Sequence, residues 1–238
     1  MSNYFTQLHD AIRAGTPAAV VSVVGGARLG KSILVMNETI VAGTLGDRAL
    51  EETALALVRT QIQTRTPARV RQGEDDLFVD LYLPPKRLLI VGAVHAAIPL
   101  VTFARTLGFQ TTVLDARAVF ATADRFPHAD RLIVGWPADS LAELGLDASS
   151  YVVVLTHDAK IDTPALLLAL NSPAVYIGAL GSRRTHAARC DALRALGATD
   201  EQLARIHAPI GLDLGGRRPE EIALAIMAEI VAADHGRI

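Results

Sequence analysis

The feature that most constrains this chain is a change of rhythm at Pro84-Pro85. Beyond that pair, short aliphatic runs alternate with helical stretches. Residues 87–91 read as a buried strand and 95–107 as a helix stopped at Gly108; further strands are expected at 111–114, 131–134, 151–155 and 174–177. Helices fill the gaps at 139–144, 163–170 and 183–196. A last one runs over 219–233, with Pro219 just inside its start and Glu220 and Glu221 in its first turn. Strands separated by helices need crossover connections, and these build a doubly wound parallel sheet. Half of the residues are hydrophobic but only 5% are aromatic, so the apolar content is aliphatic, as in a sheet covered on both faces.

Before the proline pair the pattern differs. A helix over 4–14 leads into the apolar run 18–24, then a hairpin of 33–36 and 39–42 turns at Asn37-Glu38. Asp47 stands where an N-cap belongs, ahead of a helix over 48–63, and two more strands follow at 68–71 and 77–83. The expected architecture is therefore a smaller α+β domain over 1–84 and a Rossmann-like domain over 85–238.

Net charge narrows the partners. With 23 Lys+Arg against 25 Asp+Glu the chain carries −2, which offers no basic footprint for nucleic acid. No uncharged apolar run approaches the 18 or so residues of a membrane span. The first residues show neither a basic nor an apolar export region, so a cytoplasmic location is expected. The single cysteine, Cys190, cannot close an intrachain disulfide.

In such a sheet, ligands bind beyond the carboxyl ends of the strands where strand order reverses. The loops expected there carry Gly92, His95, Thr156, His157 and Asp158, with Asp115 and Arg117 delivered by the second strand. The fifth strand would add Gly178, Gly181, Ser182, Arg183 and Arg184, and His207 lies in a later loop. Gly92 and Ala97 satisfy two of the three positions of the dinucleotide fingerprint, but Val94 stands where the second glycine should let backbone approach a pyrophosphate. Asp115, 23 residues after Gly92, is placed like a ribose-binding acid. Ser182 can cap a helix whose N–H groups, with Arg183 and Arg184 beside them, suit a phosphate. Asp158, Asp162 and Asp213 offer oxygen ligands, yet acids at strand ends also cap helices, and no metal site is assigned.

Residues 25–32, Gly-Gly-Ala-Arg-Leu-Gly-Lys-Ser, match the P-loop pattern to the letter. A working P-loop opens a helix, whereas Ser32 here runs into an alternating strand-like segment, so a P-loop ATPase is the third reading. A nicotinamide-dependent oxidoreductase on the Rossmann-like domain is the second.

The leading reading comes from a resemblance. Gly92-Ala93-Val94-His95, Arg125-Phe126-Pro127, and residues 154–158, 176–184, 206–215 and 219–223 resemble, in order, the xanthine dehydrogenase accessory factor family (XdhC/CoxI), with a weaker match at residues 43–51. The resemblance implies an accessory chaperone that binds the molybdenum cofactor (molybdopterin) and aids its sulfuration or insertion into a molybdenum hydroxylase of the xanthine or CO dehydrogenase type. It implies an apoenzyme partner, a cysteine desulfurase as a further partner, a homo-oligomer, and a nucleotide or dinucleotide as an additional crevice ligand. Two departures stand out: the family's G-x-G-H reads Gly92-Ala93-Val94-His95, and its G-G-G-C-x-E reads Gly46-Asp47-Arg48-Ala49-Leu50-Glu51, with no thiol.

Overall fold

The computed structural model describes residues 2–238. Two compact units make up the chain, Met1–Pro84 and Pro85–Ile238.

In the first unit, helix α1 (Ser2–Ala14) precedes strands β1 (Ala18–Gly25), β2 (Ser32–Met36) and β3 (Thr39–Thr44), helix α2 (Arg48–Thr64), and strands β4 (Ala68–Gln72) and β5 (Asp75–Tyr82). The strands form an antiparallel sheet in the order β3-β2-β1-β5-β4. Successive side chains of a strand point to opposite faces, and β1 shows it. Ala19, Val21 and Val23 pack with Leu50, Ala54 and Val58 of α2, while Ala18 packs with Leu8 and Ala11 of α1. The β2–β3 hairpin turns on Asn37 and Glu38, whose φ values of 47° and 61° are the two left-handed positions of a type I′ turn. Asp47 caps α2 by accepting the Leu50 N–H at 2.9 Å.

The P-loop-like segment is a strand connection. Gly25 ends β1 and Ser32 opens β2, so the loop does not itself open a helix. Arg28 ties it down, donating to Asp75 at 2.6 Å and to Asp47 at 3.1 Å while its own N–H meets Asp75 at 3.0 Å. These bonds from Arg28 hold the Asp75 carboxyl below its usual range against the opposing effect of burial. A P-loop opens a helix and this segment joins two strands, which counts against the ATPase reading.

The second unit contains β6 (Arg87–Val91), α3 (Ala97–Thr106), β7 (Gln110–Asp115), β8 (Arg131–Val134), α4 (Pro137–Leu144), β9 (Ser150–Val154) and α5 (Ala159–Leu170). After these come β10 (Tyr176–Ala179), α6 (Arg183–Ala195), α7 (Asp200–Leu203), β11 (Ile206–His207) and α8 (Pro219–Asp234). All six strands are parallel, in the order β11-β10-β9-β6-β7-β8, so the first and fourth strands of this unit adjoin at its centre as expected. One face carries Leu88, Ile90, Val113 and Val153 against α3 and α8; the other carries Leu89, Val91, Val152 and Val154 against α4, α5 and α6. Strands buried on both sides must be aliphatic throughout, which explains their composition.

Several local expectations change, among them the starts of α5 at Ala159 instead of 163 and of α4 at Pro137 instead of 139. Helix α3 starts at Ala97 and not at His95, because residues 92–96 form the turn that leaves β6. Strand β10 begins two residues later than the sequence pattern places it. A sixth strand, β11, and the short α7 were not anticipated, since two residues carry no periodicity; only Thr199 and Gln202, which form a capping box, signal α7.

Gly178 also changes role. It is buried in β10, and a Cβ there would lie 2.4 Å from Ile210 Cδ1 and 2.8 Å from Tyr176 Cε1. Packing, and no approaching ligand, requires this glycine. Gly178→Ala is expected to cost about 1–3 kcal/mol through overpacking; a urea melt unchanged from the parent would contradict this.

Candidate cofactor cleft

Strand order reverses between β6 and β9: the chain leaves β6 towards β7 and returns on the other side with β9. The crevice beyond their carboxyl ends is the place this topology provides for a ligand. Two backbone bonds bring the loops together, from the Gly92 N–H to the Leu114 carbonyl and from the Leu155 N–H to the Val91 carbonyl, both at 2.8 Å. Gly92 has φ +110°, and a Cβ would lie 2.5 Å from Thr156 Cγ2. Only glycine gives both that backbone and that approach.

Asp115 ends β7 with its side chain fully buried. Its Oδ2 accepts the Ala93 N–H at 2.8 Å and Arg117 Nη2 at 2.9 Å; its Oδ1 accepts Arg117 Nε and the Arg117 N–H, both at 2.9 Å. Burial pushes this carboxyl upward, but the bonds from Arg117 and Ala93 outweigh it and leave the pKa below its usual value. The Arg117 guanidinium, strengthened by the same pair, lies 4.5 Å from the Phe120 ring centroid. Asp115 is thus a tether for the first loop, and the expectation that it offers free oxygens to a ribose is corrected.

A second buried chain lies under the opposite wall. Thr156 Oγ1 donates to Asp162 Oδ1, Arg189 Nη2 donates to Asp162 Oδ2 at 2.9 Å, and the same nitrogen donates to the Leu180 carbonyl at 3.1 Å. Asp162 and Arg189 are both almost fully buried. Burial dominates at Asp162 and raises its pKa despite Thr156 and Arg189. This pair links the β9–α5 loop to the β10–α6 loop. Asp162 therefore serves as a strut and is not open to a metal. Arg189 escapes the sequence reading, although its spacing of four from the buried Leu193 marks an inward helix position.

Between these tethers lies a cleft of about 510 Å³ lined by Val94, Arg117, Leu155, Thr156, His157, Asp158, Ala159 and Leu180. Its volume and largely apolar wall with a few polar groups match small-molecule sites in general. Of the residues singled out in the sequence, Arg117, Thr156, His157 and Asp158 line it. Gly92 and Asp115 support it from behind, with Gly92 buried against Thr156. Asp158 also caps α5 by accepting the Lys160 N–H at 2.9 Å.

The others lie off the wall. His95 is exposed in the turn before α3. Gly181, with φ +143°, turns the chain into α6, where Ser182 accepts the Thr185 N–H at 3.1 Å. Ser182, Arg183 and Arg184 are exposed at the head of that helix, one turn of chain beyond Leu180, and the two arginines have no hydrogen bond or ion pair among the described residues. His207 belongs to β11, paired in register with Gly178, and stacks on Tyr176 at 4.7 Å between ring centroids. The structure gives His207 a packing partner in place of the open loop position expected.

The strut has a measurable cost when broken. Removing one member of a buried pair costs about 3–5 kcal/mol, so Arg189→Met is expected to lower stability by that order near neutral pH. Arg189 pulls the Asp162 pKa down against the larger upward push of burial, so removing it raises that pKa further, and the loss is felt where Asp162 is ionised and fades where it is protonated in both proteins. Denaturant melts should show the Arg189→Met deficit shrinking towards about pH 4; a deficit that grows on acidification would contradict this.

Comparison with known proteins agrees with the topology. The chain is 26% identical to the uncharacterized protein YqeB of Escherichia coli over 96% of its own length and 46% of that protein. It is 31% identical to a probable xanthine dehydrogenase subunit of Bacillus subtilis over 66% of this chain and 45% of that one. It is 32% identical to the molybdenum cofactor insertion chaperone PaoD of Escherichia coli over 50% of this chain and 37% of that one. The chain thus spans less than half the length of each of these relatives. A crystal structure of a xanthine dehydrogenase from Bacillus halodurans superposes with a TM-score of 0.70 at 27% identity, covering 98% of this chain and 64% of that chain. The model of the XdhC Rossmann domain matches residues 88–230, from the first strand of the parallel sheet into its last helix, and on that match the chain belongs to the XdhC family.

Proposed function

We propose that this protein is an accessory chaperone that holds the molybdenum cofactor in the β6/β9 cleft and delivers it to a molybdenum hydroxylase of the xanthine or CO dehydrogenase type. The observation that carries the reading is the cleft itself, set at the strand-order reversal of an XdhC Rossmann domain and braced on both sides by buried carboxylates. The names of two relatives, a cofactor insertion chaperone and a probable component of xanthine dehydrogenase, support the same role.

The residues present suit the group. A pterin is a flat, polar-edged heterocycle, and Val94, Leu155, Ala159 and Leu180 supply apolar surface while Arg117, Thr156, His157 and Asp158 supply donors and acceptors. Its phosphate needs cations and free N–H groups, and the head of α6 offers Arg183 and Arg184 without competing partners among the described residues. When bound, the cofactor supplies the molybdenum centre on which the client enzyme depends. The chain's own part is to bind, orient and shield it. Ala49 is exposed in the first turn of α2, where the family motif carries a cysteine, so no thiol at that position takes part in the hand-over. The partners in this reading are the hydroxylase apoenzyme, a cysteine desulfurase and a second copy of the chain, all in the cytoplasm.

Arg183 and Arg184 test the reading. A charge-assisted guanidinium contact contributes about 1.5–3 kcal/mol, and about 1.4 kcal/mol is tenfold in affinity. Arg183→Ala and Arg184→Ala should therefore each weaken binding of molybdopterin by about ten- to a hundredfold in a fluorescence titration, with unchanged melting temperatures. Normal melting with parental affinity in both variants would remove the phosphate from the α6 head.

A further inference from the structure

Two features of a dinucleotide site are present in outline here, and each is blocked by this chain's own atoms. The acid at the end of the second strand is Asp115, but its two oxygens accept four hydrogen bonds, three of them from Arg117. A carboxylate has about four acceptor positions, so none is left for a ribose hydroxyl. The turn after β6 places Val94, and not glycine, on the cleft wall.

We infer that Arg117 is the specificity-determining residue of this cleft: clamped on Asp115, it takes the place of a dinucleotide's ribose and, with Val94, closes the crevice to NAD-type ligands. This rests on the proposal that the cleft is the cofactor site. It goes further in saying which ligands that site refuses and by which atoms. The clamp is rigid because both ends are held, Asp115 by the Ala93 N–H and Arg117 by its contact with Phe120. It is also accessible, since 43% of the Arg117 side chain is exposed while Asp115 is not. A change at Arg117 therefore alters the wall of the cleft more than the interior of the sheet.

The test uses the purified full chain and two fluorescent probes, NADH and 6-hydroxymethylpterin monophosphate. The parent is expected to bind the pterin at least about a hundredfold more tightly than NADH. Val94→Gly/Arg117→Ala, which frees the Asp115 oxygens and bares the turn, is expected to gain at least about tenfold in NADH affinity. Should that variant melt early, Val94→Gly/Arg117→Lys keeps a cation beside Asp115 without the guanidinium fork and should show a smaller gain in the same direction. Parental binding of NADH as tight as that of the pterin, or folded variants with no gain, would overturn the inference. A parent that binds neither probe, with variants that do gain NADH, would sustain the role of Arg117 while sinking the assignment of the cleft to a pterin.

Discussion

The contact between Gly92 and Thr156 is the constraint on which the site depends. Parallel strands β6 and β9 diverge into separate loops at the reversal of strand order, and nothing in the sheet itself holds those loops together beyond its last hydrogen bonds. A backbone at φ +110° with no Cβ lets Thr156 close against the first loop. Once that approach is made, the groups on either side have fixed places. Ala93 meets Asp115, and Thr156 meets Asp162. Each carboxylate then recruits an arginine, Arg117 in one case and Arg189 in the other.

The two pairs are chemically alike and physically opposite. Asp115 receives enough hydrogen bonds to stay ionised below its usual range, whereas Asp162 is desolvated enough to be pushed above it. Both carboxylates are buried, and the difference follows from the hydrogen bonds each receives, four at Asp115 against two at Asp162. Arg117 reaches solvent and can present its outer edge to a ligand, while Arg189 is sealed beneath α6 and braces the cleft from below. A binding cleft needs both: a wall with usable polar groups, and a support that does not relax when a ligand enters.

Much of this was legible in the sequence because it is local. Aliphatic runs with helical spacers specified the parallel sheet, Asn37-Glu38 the hairpin, and Asp47 the cap of α2. The misread residues share a different property: their partners lie far along the chain. Gly178 looks like part of a glycine-rich ligand loop until Ile210, in the segment after β11, is seen filling the space above it. His207 looks like a loop ligand until a two-residue strand stacks it on Tyr176. Asp115 is the instructive exception, since Arg117 is only two residues away. Its spacing from Gly92 matched a ribose acid, and spacing alone does not show that a neighbour has already taken the carboxylate. The P-loop match failed for a related reason, because a motif of eight residues does not state whether a strand or a helix follows it.

The central claim is that a pterin cofactor occupies the crevice beyond β6 and β9. Amide chemical-shift mapping of the isotope-labelled chain on titration with molybdopterin tests it most directly. The account predicts shifts concentrated at residues 92–95, 117, 155–159 and 180–184, with residues 25–32 undisturbed. Shifts centred on residues 25–32, or spread over the antiparallel sheet with the crevice silent, would contradict it.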